Sequence, residues 1–215
     1  MIQGSADIDP LKNAAGPAPP RESCRRHELI VCERGEPERT ELEQFVQNAF
    51  RDKHGARLRS FMPTMLAMRS DAGTLCSVVG FRCAAHEPLF LERYLSEPVE
   101  DAIATVCGHA VERAQIVEVG NLAGVSCRAS LRLIVELPRL LLARGQRWIV
   151  FTASGALRSV LAGYRAPLMQ LALADASRVT GLGDDWGRYY ETDPRVMAGF
   201  LPDGRRLDRH GKRCV

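Results

Sequence analysis

The segment VEVGNLAGVSCRAS, Val117 to Ser130, decides the fold. Its first half belongs to an apolar stretch that predicts a strand over Gln115–Ala123. A short turn around Gly124 follows, and the apolar spacing beyond it predicts a helix over Ala129–Ala143, interrupted by Pro138. A strand, a tight turn and a helix in this order are typical of α/β proteins.

The segments on either side extend this pattern. Thr40 and Glu43 match a capping box at the start of one helix, and Asp71-Ala72-Gly73 predicts a hairpin turn. Further helices are predicted over Thr40–Lys53, Val99–Val106 and Ser154–Ala162, and further strands over Met65–Met68, Leu75–Ala84, Trp148–Thr152, Leu168–Ala174 and Val196–Leu201. This order predicts an α/β (α+β) fold, one central mixed sheet with helices on both faces.

The 215 residues predict one domain with loose ends. Residues 1–28 are interpreted as a disordered leader, because they lack periodicity and contain several prolines. Residues 29–202 form the folded domain, and 203–215 form a flexible tail. That tail holds five basic and two acidic residues, so it carries the whole net charge of +3.

The neutral body argues against nucleic acid as a partner, because phosphate binding needs a concentrated basic face. No run free of Asp, Glu, Lys and Arg exceeds ten residues, which is too short to span a bilayer. No secretory signal is visible, and the seven cysteines show neither a CxxC pair nor zinc-ligand spacing. We therefore expect a cytoplasmic protein without stable membrane insertion and without a metal.

The turn after the central strand is a candidate anion site. A helix start leaves backbone N–H groups unpaired, Gly124 allows a ligand to come close, and Arg128 adds a charge-assisted contact. A tight turn with a solvated arginine is the alternative. Cys127 is a conceivable nucleophile at a helix start, but a small semi-buried filler residue is the favoured interpretation, since no histidine is near in sequence.

Glu118 is the candidate catalytic carboxylate. A carboxylate between Val117 and Val119 on a central strand is costly unless it is paired or used. Strand alternation places it on the face of Gly120 and Leu122. It is either a general base with a raised pKa or a holder of a substrate amine. The alternative is a structural ion pair with Arg82.

Four segments are together similar to the thermostable haemolysin family. They are PLFLERYLSEPVE (Pro88–Glu100), IVEVGNLAG (Ile116–Gly124), GQRWIVFTAS (Gly145–Ser154) and DWGRYYETDPRVMAG (Asp185–Gly199). The order of GFRCAAHEPLFL (Gly80–Leu91) and VEVGNLA (Val117–Ala123) also resembles the acyl-homoserine-lactone synthase branch of the GNAT acyltransferases.

The resemblance implies a GNAT-like fold in which two parallel strands separate and an acyl thioester inserts between them. It implies that the separating strands end near Ala123 and Thr152, with Glu118 and Asn121 as catalytic residues. The implied substrate-binding residues are Phe81, Arg82, Trp148, Thr152 and Ser154. The implied donor-binding residues are Leu122, Ala123, Gly124, Val125, Ser126, Cys127, Arg128, Ala129 and Ser130.

The function that follows is transfer of an acyl group from a CoA or acyl-carrier-protein thioester to the amine of a small molecule. An acyl-carrier protein is then a partner. Two alternatives stay open: a membrane-active haemolysin, for which the apolar stretch Leu131–Leu142 is the candidate segment, and a protein that binds acyl groups without turnover.

Overall fold

The computed structural model describes residues 27–164, 166–181 and 183–201. The strands are β1 His27–Cys32, β2 Thr64–Ser70, β3 Leu75–Cys83, β4 Ile116–Gly124, β5 Trp148–Ala153, β6 Leu168–Leu173 and β7 Arg195–Phe200. The helices are α1 Arg39–His54, α2 Val99–Cys107, α3 Cys127–Ala143 and α4 Gly155–Gly163. Short 3₁₀ turns occur at Phe90–Tyr94, Arg113–Gln115, Ala176–Val179 and Tyr189–Thr192.

The seven strands form one sheet in the order β1-β2-β3-β4-β5-β7-β6. Neighbouring strands are antiparallel, except that β4 and β5 run parallel. A sheet with one parallel pair at its centre needs a crossover helix, and α3 supplies it between β4 and β5. The predicted mixed sheet is therefore confirmed.

Helices cover both faces of the sheet, as expected. On the front face, α1 packs through Leu42 and Val46, and α2 packs through Val99 and Ile103. On the back face, three leucines of α3 pack on the sheet, namely Leu133, Leu137 and Leu141. Leu161 of α4 packs on the same back face, against Phe151 and Met197.

Several boundaries differ from the prediction. Strand β1 was not predicted and includes His27 and Glu28 of the proposed leader, whereas residues 1–26 and the predicted tail 203–215 lie outside the described residues. The predicted capping box at Thr40 is wrong, because α1 begins at Arg39 and Glu38 caps it without a side-chain hydrogen bond. The expected interruption at Pro138 is also wrong, since α3 continues through it.

Two irregularities of β4 shape the centre of the sheet. The register against β3 shifts between Val78 and Gly80, and Asn121 has a positive φ of 52°. Between the partners of Val78 and Gly80, β4 contains one residue more than β3 does. The extra residue forms a β-bulge, which reverses the alternation of side chains beyond it. Leu122 consequently packs on the back face, so the expectation that it shares the face of Glu118 is wrong.

Strands β4 and β5 separate toward their carboxyl ends. Their pairing ends at Val119 and Phe151, although β4 continues to Gly124 and β5 to Ala153. The gap between the two strand ends is called the split here. It lies where the family resemblance implied it, and a sheet opened in this way leaves room for a ligand between two strands.

Candidate functional site

A cavity of about 1460 Å³ passes through the split and reaches both faces of the sheet. Its front part is lined by Arg82, Glu118 and the end of α1. Its back part lies between α3 and α4. A cavity that joins two faces through a gap in a sheet can bring together two substrates that enter from opposite sides.

Glu118 forms part of the wall of this cavity on the front face. It is only 3% exposed. The Phe90 N–H donates to its Oε2 at 2.8 Å, and the Leu91 N–H donates to its Oε1 at 2.9 Å. Burial raises the pKa of Glu118, and the Arg82 guanidinium opposes that rise. A buried carboxyl with a raised pKa that faces a cavity is suited to accept a proton.

Arg82 is the cation next to this carboxylate. Its Nε lies 3.3 Å from Oε2 of Glu118 and 3.1 Å from Sδ of Met62. The ion pair foreseen as the alternative to a catalytic role therefore exists. Both residues also line the cavity, so the pair is not sealed from ligands.

Aromatic side chains form the rest of the front wall. Phe90, whose N–H binds Glu118, has its ring 5.6 Å from that of Trp186, and Trp186 is 5.5 Å from Tyr189. The Tyr189 hydroxyl donates to the Thr152 carbonyl at 3.4 Å, beside the split. Burial raises the pKa of the Tyr189 phenol, which keeps it protonated. The irregular segment around Trp186 is therefore both an anchor and a cavity wall.

His54 is a cavity residue that the sequence analysis missed. It is the last residue of α1, it is buried, and its ring lies 5.4 Å from that of Tyr189. Burial lowers the pKa of His54, with Lys53 and Arg188 acting in the same direction. The available signal was the spacing of Phe50 and His54, four residues apart on one helix side.

Asn121 holds the bulge in place. Its Oδ1 accepts a hydrogen bond from the Met62 N–H at 2.8 Å. Met62 covers two glycines of the sheet, and a Cβ at Gly80 or Gly120 would lie within 2.6 to 2.7 Å of its side chain. Asn121 therefore lines the cavity and also positions the segment that covers the sheet there.

Two substitutions at Asn121 separate these contributions. N121G and N121A both remove the oxygen that binds Met62, which is expected to lower the free energy of unfolding by about 1 to 2 kcal/mol. N121A also places a Cβ in the left-handed region, which costs about 1 kcal/mol more. N121D is the control that keeps an acceptor oxygen. Equal urea midpoints for N121A and N121G would contradict the strain argument.

Most of the predicted donor-binding turn lines the cavity. The residues that do are Leu122, Ala123, Gly124, Val125, Ser126, Cys127 and Ser130, whereas Arg128 and Ala129 do not. The Ser126 hydroxyl accepts from the Ala129 N–H and caps α3. A Cβ at Gly124 would collide with Ser130, so packing of β4 against α3 already requires glycine there.

The predicted substrate residues divide into two groups. Arg82, Thr152 and Ser154 line the cavity, but Phe81 and Trp148 do not. Phe81 points to the opposite face from Arg82, its neighbour in β3, and packs in the core of the back face. Trp148 is buried in the front core among residues of α2 and β7. We therefore leave these two out of the site.

Metal-ligand clusters and membrane-spanning helices are both absent from the described part of the chain. Within it, no three His, Cys, Asp or Glu side chains converge on a point where a metal ion would bind. None of its helices combines the length and the apolar character that crossing a bilayer requires.

Comparison with known proteins identifies a family. A family model described as "Thermostable hemolysin" matches residues 32–205. A comparison with curated protein sequences gives no match.

Solved structures share the fold at low sequence identity. The acyl-homoserine-lactone synthase LasI is 12% identical with a TM-score of 0.58, covering 88% of this chain and 98% of its own. FeeM, an N-acyl amino acid synthase from uncultured soil microbes, is 13% identical with a TM-score of 0.56, covering 82% and 92%. BjaI, a CoA-dependent acyl-homoserine-lactone synthase solved with SAM and isopentyl-CoA, is 12% identical with a TM-score of 0.56, covering 83% and 85%. These matches confirm the expected GNAT-like fold.

Proposed function

The chain belongs to the thermostable hemolysin family, and we propose that it is an N-acyltransferase that moves an acyl group from a thioester donor to an amine. The donor is carried by CoA or by an acyl-carrier protein. One observation carries the proposal: a buried, hydrogen-bonded Glu118 faces a cavity that passes through the split between β4 and β5.

The donor arm is proposed to enter at the split. The first N–H groups of α3, at Cys127 and Arg128, have no acceptor within the helix, because helical bonds reach four residues back. No acidic residue occupies the first turn of α3, so its positive end is available to a phosphate. Arg128 lies beside this end and is exposed. These features suit the phosphates of a pantetheine carrier.

The amine is proposed to enter from the front face. Its nitrogen attacks the thioester carbonyl, the C–N bond forms and the C–S bond breaks. Glu118 takes the proton that the nitrogen loses, directly or through a water molecule, and the sulfur leaves as a thiol after protonation. Arg82 and the two N–H groups of the 3₁₀ turn hold the carboxylate in place. Asn121, whose oxygen is engaged by Met62, is assigned a positioning role beside the split.

The structural neighbours support this proposal through their fold. LasI and BjaI are acyl-homoserine-lactone synthases, and FeeM is an N-acyl amino acid synthase. All three are named for products in which an acyl group is attached to nitrogen. The shared fold makes the same class of transfer the best-supported function for this cavity.

The experiment is a thiol-release assay on the purified full chain. Acyl-CoA and acyl-carrier protein are supplied with a panel of amines, free thiol is measured, and mass spectrometry detects the acyl-amine. We expect thiol release that depends on both donor and amine. Binding of acyl-CoA without thiol release for any amine would instead favour the non-catalytic acyl-binding alternative.

The alternative of a membrane-active haemolysin loses its candidate segment. Apart from Val135, the apolar side chains between Leu131 and Leu142 face either the core of the sheet or the cavity. Direct lysis by α3 would require this helix to leave the domain and expose the core residues Leu133, Leu137 and Leu141.

A further inference from the structure

Helix α3 carries two apolar stripes, of which one is fully buried in the core of the sheet and the other is only partly buried. Leu133, Leu137 and Leu141 form the stripe that packs in the core of the back face. A second stripe, Leu131, Ile134, Pro138 and Leu142, recurs every three or four residues and lines the cavity. Ile134 and Leu142 also touch core residues, but the stripe as a whole is only half-buried and borders the cavity. An apolar stripe left partly open to a cavity is unusual for a helix, because burial of such a stripe is what stabilises a fold.

Helix α4 presents a matching stripe. Leu157, Val160 and Leu161 line the same part of the cavity from the other side. The sheet contributes Ile149 and Phe151 between the two helices. We call the space between the stripe of α3 and that of α4 the apolar chamber. All the side chains named here are hydrocarbon, so these walls favour an apolar occupant.

The chamber is continuous with the split. Both α3 and α4 begin at the carboxyl ends of strands β4 and β5 and run back along the sheet. Leu131 and Leu157 therefore lie near the split, and Leu142 lies at the far end of α3. A thioester carbonyl held beside Glu118 would direct its acyl chain into this space.

The length of the chamber limits the length of the acyl chain that it can hold. Leu131 to Leu142 spans eleven helical rises of about 1.5 Å, or about 16 Å. An extended chain advances about 1.2 Å per bond, since a residue with three backbone bonds reaches about 3.5 Å. The chamber therefore accommodates about 13 bonds.

We infer that the donor carries a long acyl chain of about 12 to 14 carbons, which lies between α3 and α4. This inference rests on the proposed function, because it assigns the acyl group of the same donor. An acetyl group would leave the chamber unfilled. A long chain buries its methylene groups against both stripes, and each buried CH₂ strengthens binding by up to about fourfold.

The test uses S-alkylpantetheine thioethers with chains of 2 to about 14 carbons, which bind as donors but cannot transfer. The pantetheine part of these probes is common to CoA and carrier-protein donors. Titration calorimetry is expected to show affinity rising with chain length, with dodecyl at least about 100-fold tighter than butyl. Equal affinities for the two chains would overturn the inference.

A blocking variant tests the location. I134W fills the chamber about three residues beyond Leu131 and is expected to weaken dodecyl binding at least about tenfold while leaving butyl binding unchanged. A162W, at an exposed position of α4 outside the cavity, is the matched control. If thermal unfolding shows that I134W does not fold, L157W blocks the chamber from the other helix. Dodecyl affinity unchanged in a folded blocking variant would overturn the location.

The outcomes separate this inference from the proposed function. Chain-dependent binding of the thioethers together with no thiol release from either dodecanoyl-CoA or dodecanoyl-acyl-carrier protein would keep the chamber and reject the enzyme. Rapid turnover of acetyl-CoA with none of dodecanoyl-CoA would keep the enzyme and reject the long-chain donor.

Discussion

The E118Q variant is expected to lose roughly 10²- to 10⁴-fold in kcat/KM for acyl transfer, the range that a positioned general base contributes. Glutamine has nearly the same shape and keeps one oxygen for one of the two N–H groups of Phe90 and Leu91, while its NH2 faces the other, and it cannot take a proton. Burial raises the pKa of Glu118, so the acid limb of the wild-type rate profile should lie above the ordinary glutamate value of about 4.3. The variant should lack that limb.

The control for this loss is E136Q. Glu136 is on α3 outside the cavity and pairs only loosely with Arg139, at 3.8 Å. Its replacement should leave the rate unchanged. Circular dichroism and the urea midpoint should show that E118Q is folded. A folded E118Q with the wild-type rate and pH profile would remove Glu118 from the mechanism.

The sequence predicted the elements that have strong apolar periodicity. The strand–turn–helix around Gly124 appears with boundaries within two residues, and the hairpin of β2 and β3 forms as expected. The sequence predicts these segments correctly because the spacing of buried leucines in α3 is helical, and β2 and β3 are continuous apolar runs that are buried on both faces.

The errors have physical causes that local spacing does not contain. The capping box at Thr40 fails because Glu43 is engaged by Arg39, whose guanidinium also donates to the carbonyls of Met62 and Pro63. These long-range contacts start the helix one residue earlier. Strand β1 is an edge strand with exposed Glu28 and Leu29, so its pattern has no clear buried side.

The site was partly predictable. The cost of burying Glu118 pointed to a partner or a use, and Arg82 is that partner. The bulge at Asn121 was not visible in the alternation, and it moved Leu122 to the other face. The aromatic wall of Trp186 and Tyr189 meets His54 only through folding, because about 130 residues separate them in the chain.

Replacing Arg82 with methionine should destabilise the fold by about 3 kcal/mol at pH 8, because it leaves a buried carboxylate without its cation. The side chains of Arg82 and Glu118 are only 16% and 4% exposed, so solvent screens their interaction little. The matched control is R139M, since the Arg139–Glu136 pair is 65% and 38% exposed and should contribute less than about 1 kcal/mol.

The loss of unfolding free energy in R82M should be larger at high pH than at low pH. Burial raises the pKa of Glu118 in the folded protein, and removing Arg82 removes the opposing influence. A carboxyl with a raised folded-state pKa favours folding most below its unfolded pKa, about 4.3, and that advantage disappears as pH rises through the folded value. The difference in unfolding free energy between wild type and R82M should therefore be small near pH 4 and widen toward pH 8.

Urea unfolding at both pH values, with the double variant R82M/E118Q, completes this test of the ion pair. The double variant should be more stable than R82M at pH 8, because no unpaired charge remains in it. A gap between wild type and R82M that is equal at both pH values would mean that Arg82 stabilises the fold through packing around Met62 and not through the charge of Glu118. Burial would then raise the pKa of Glu118 and the N–H groups of Phe90 and Leu91 would lower it, without a contribution from this guanidinium.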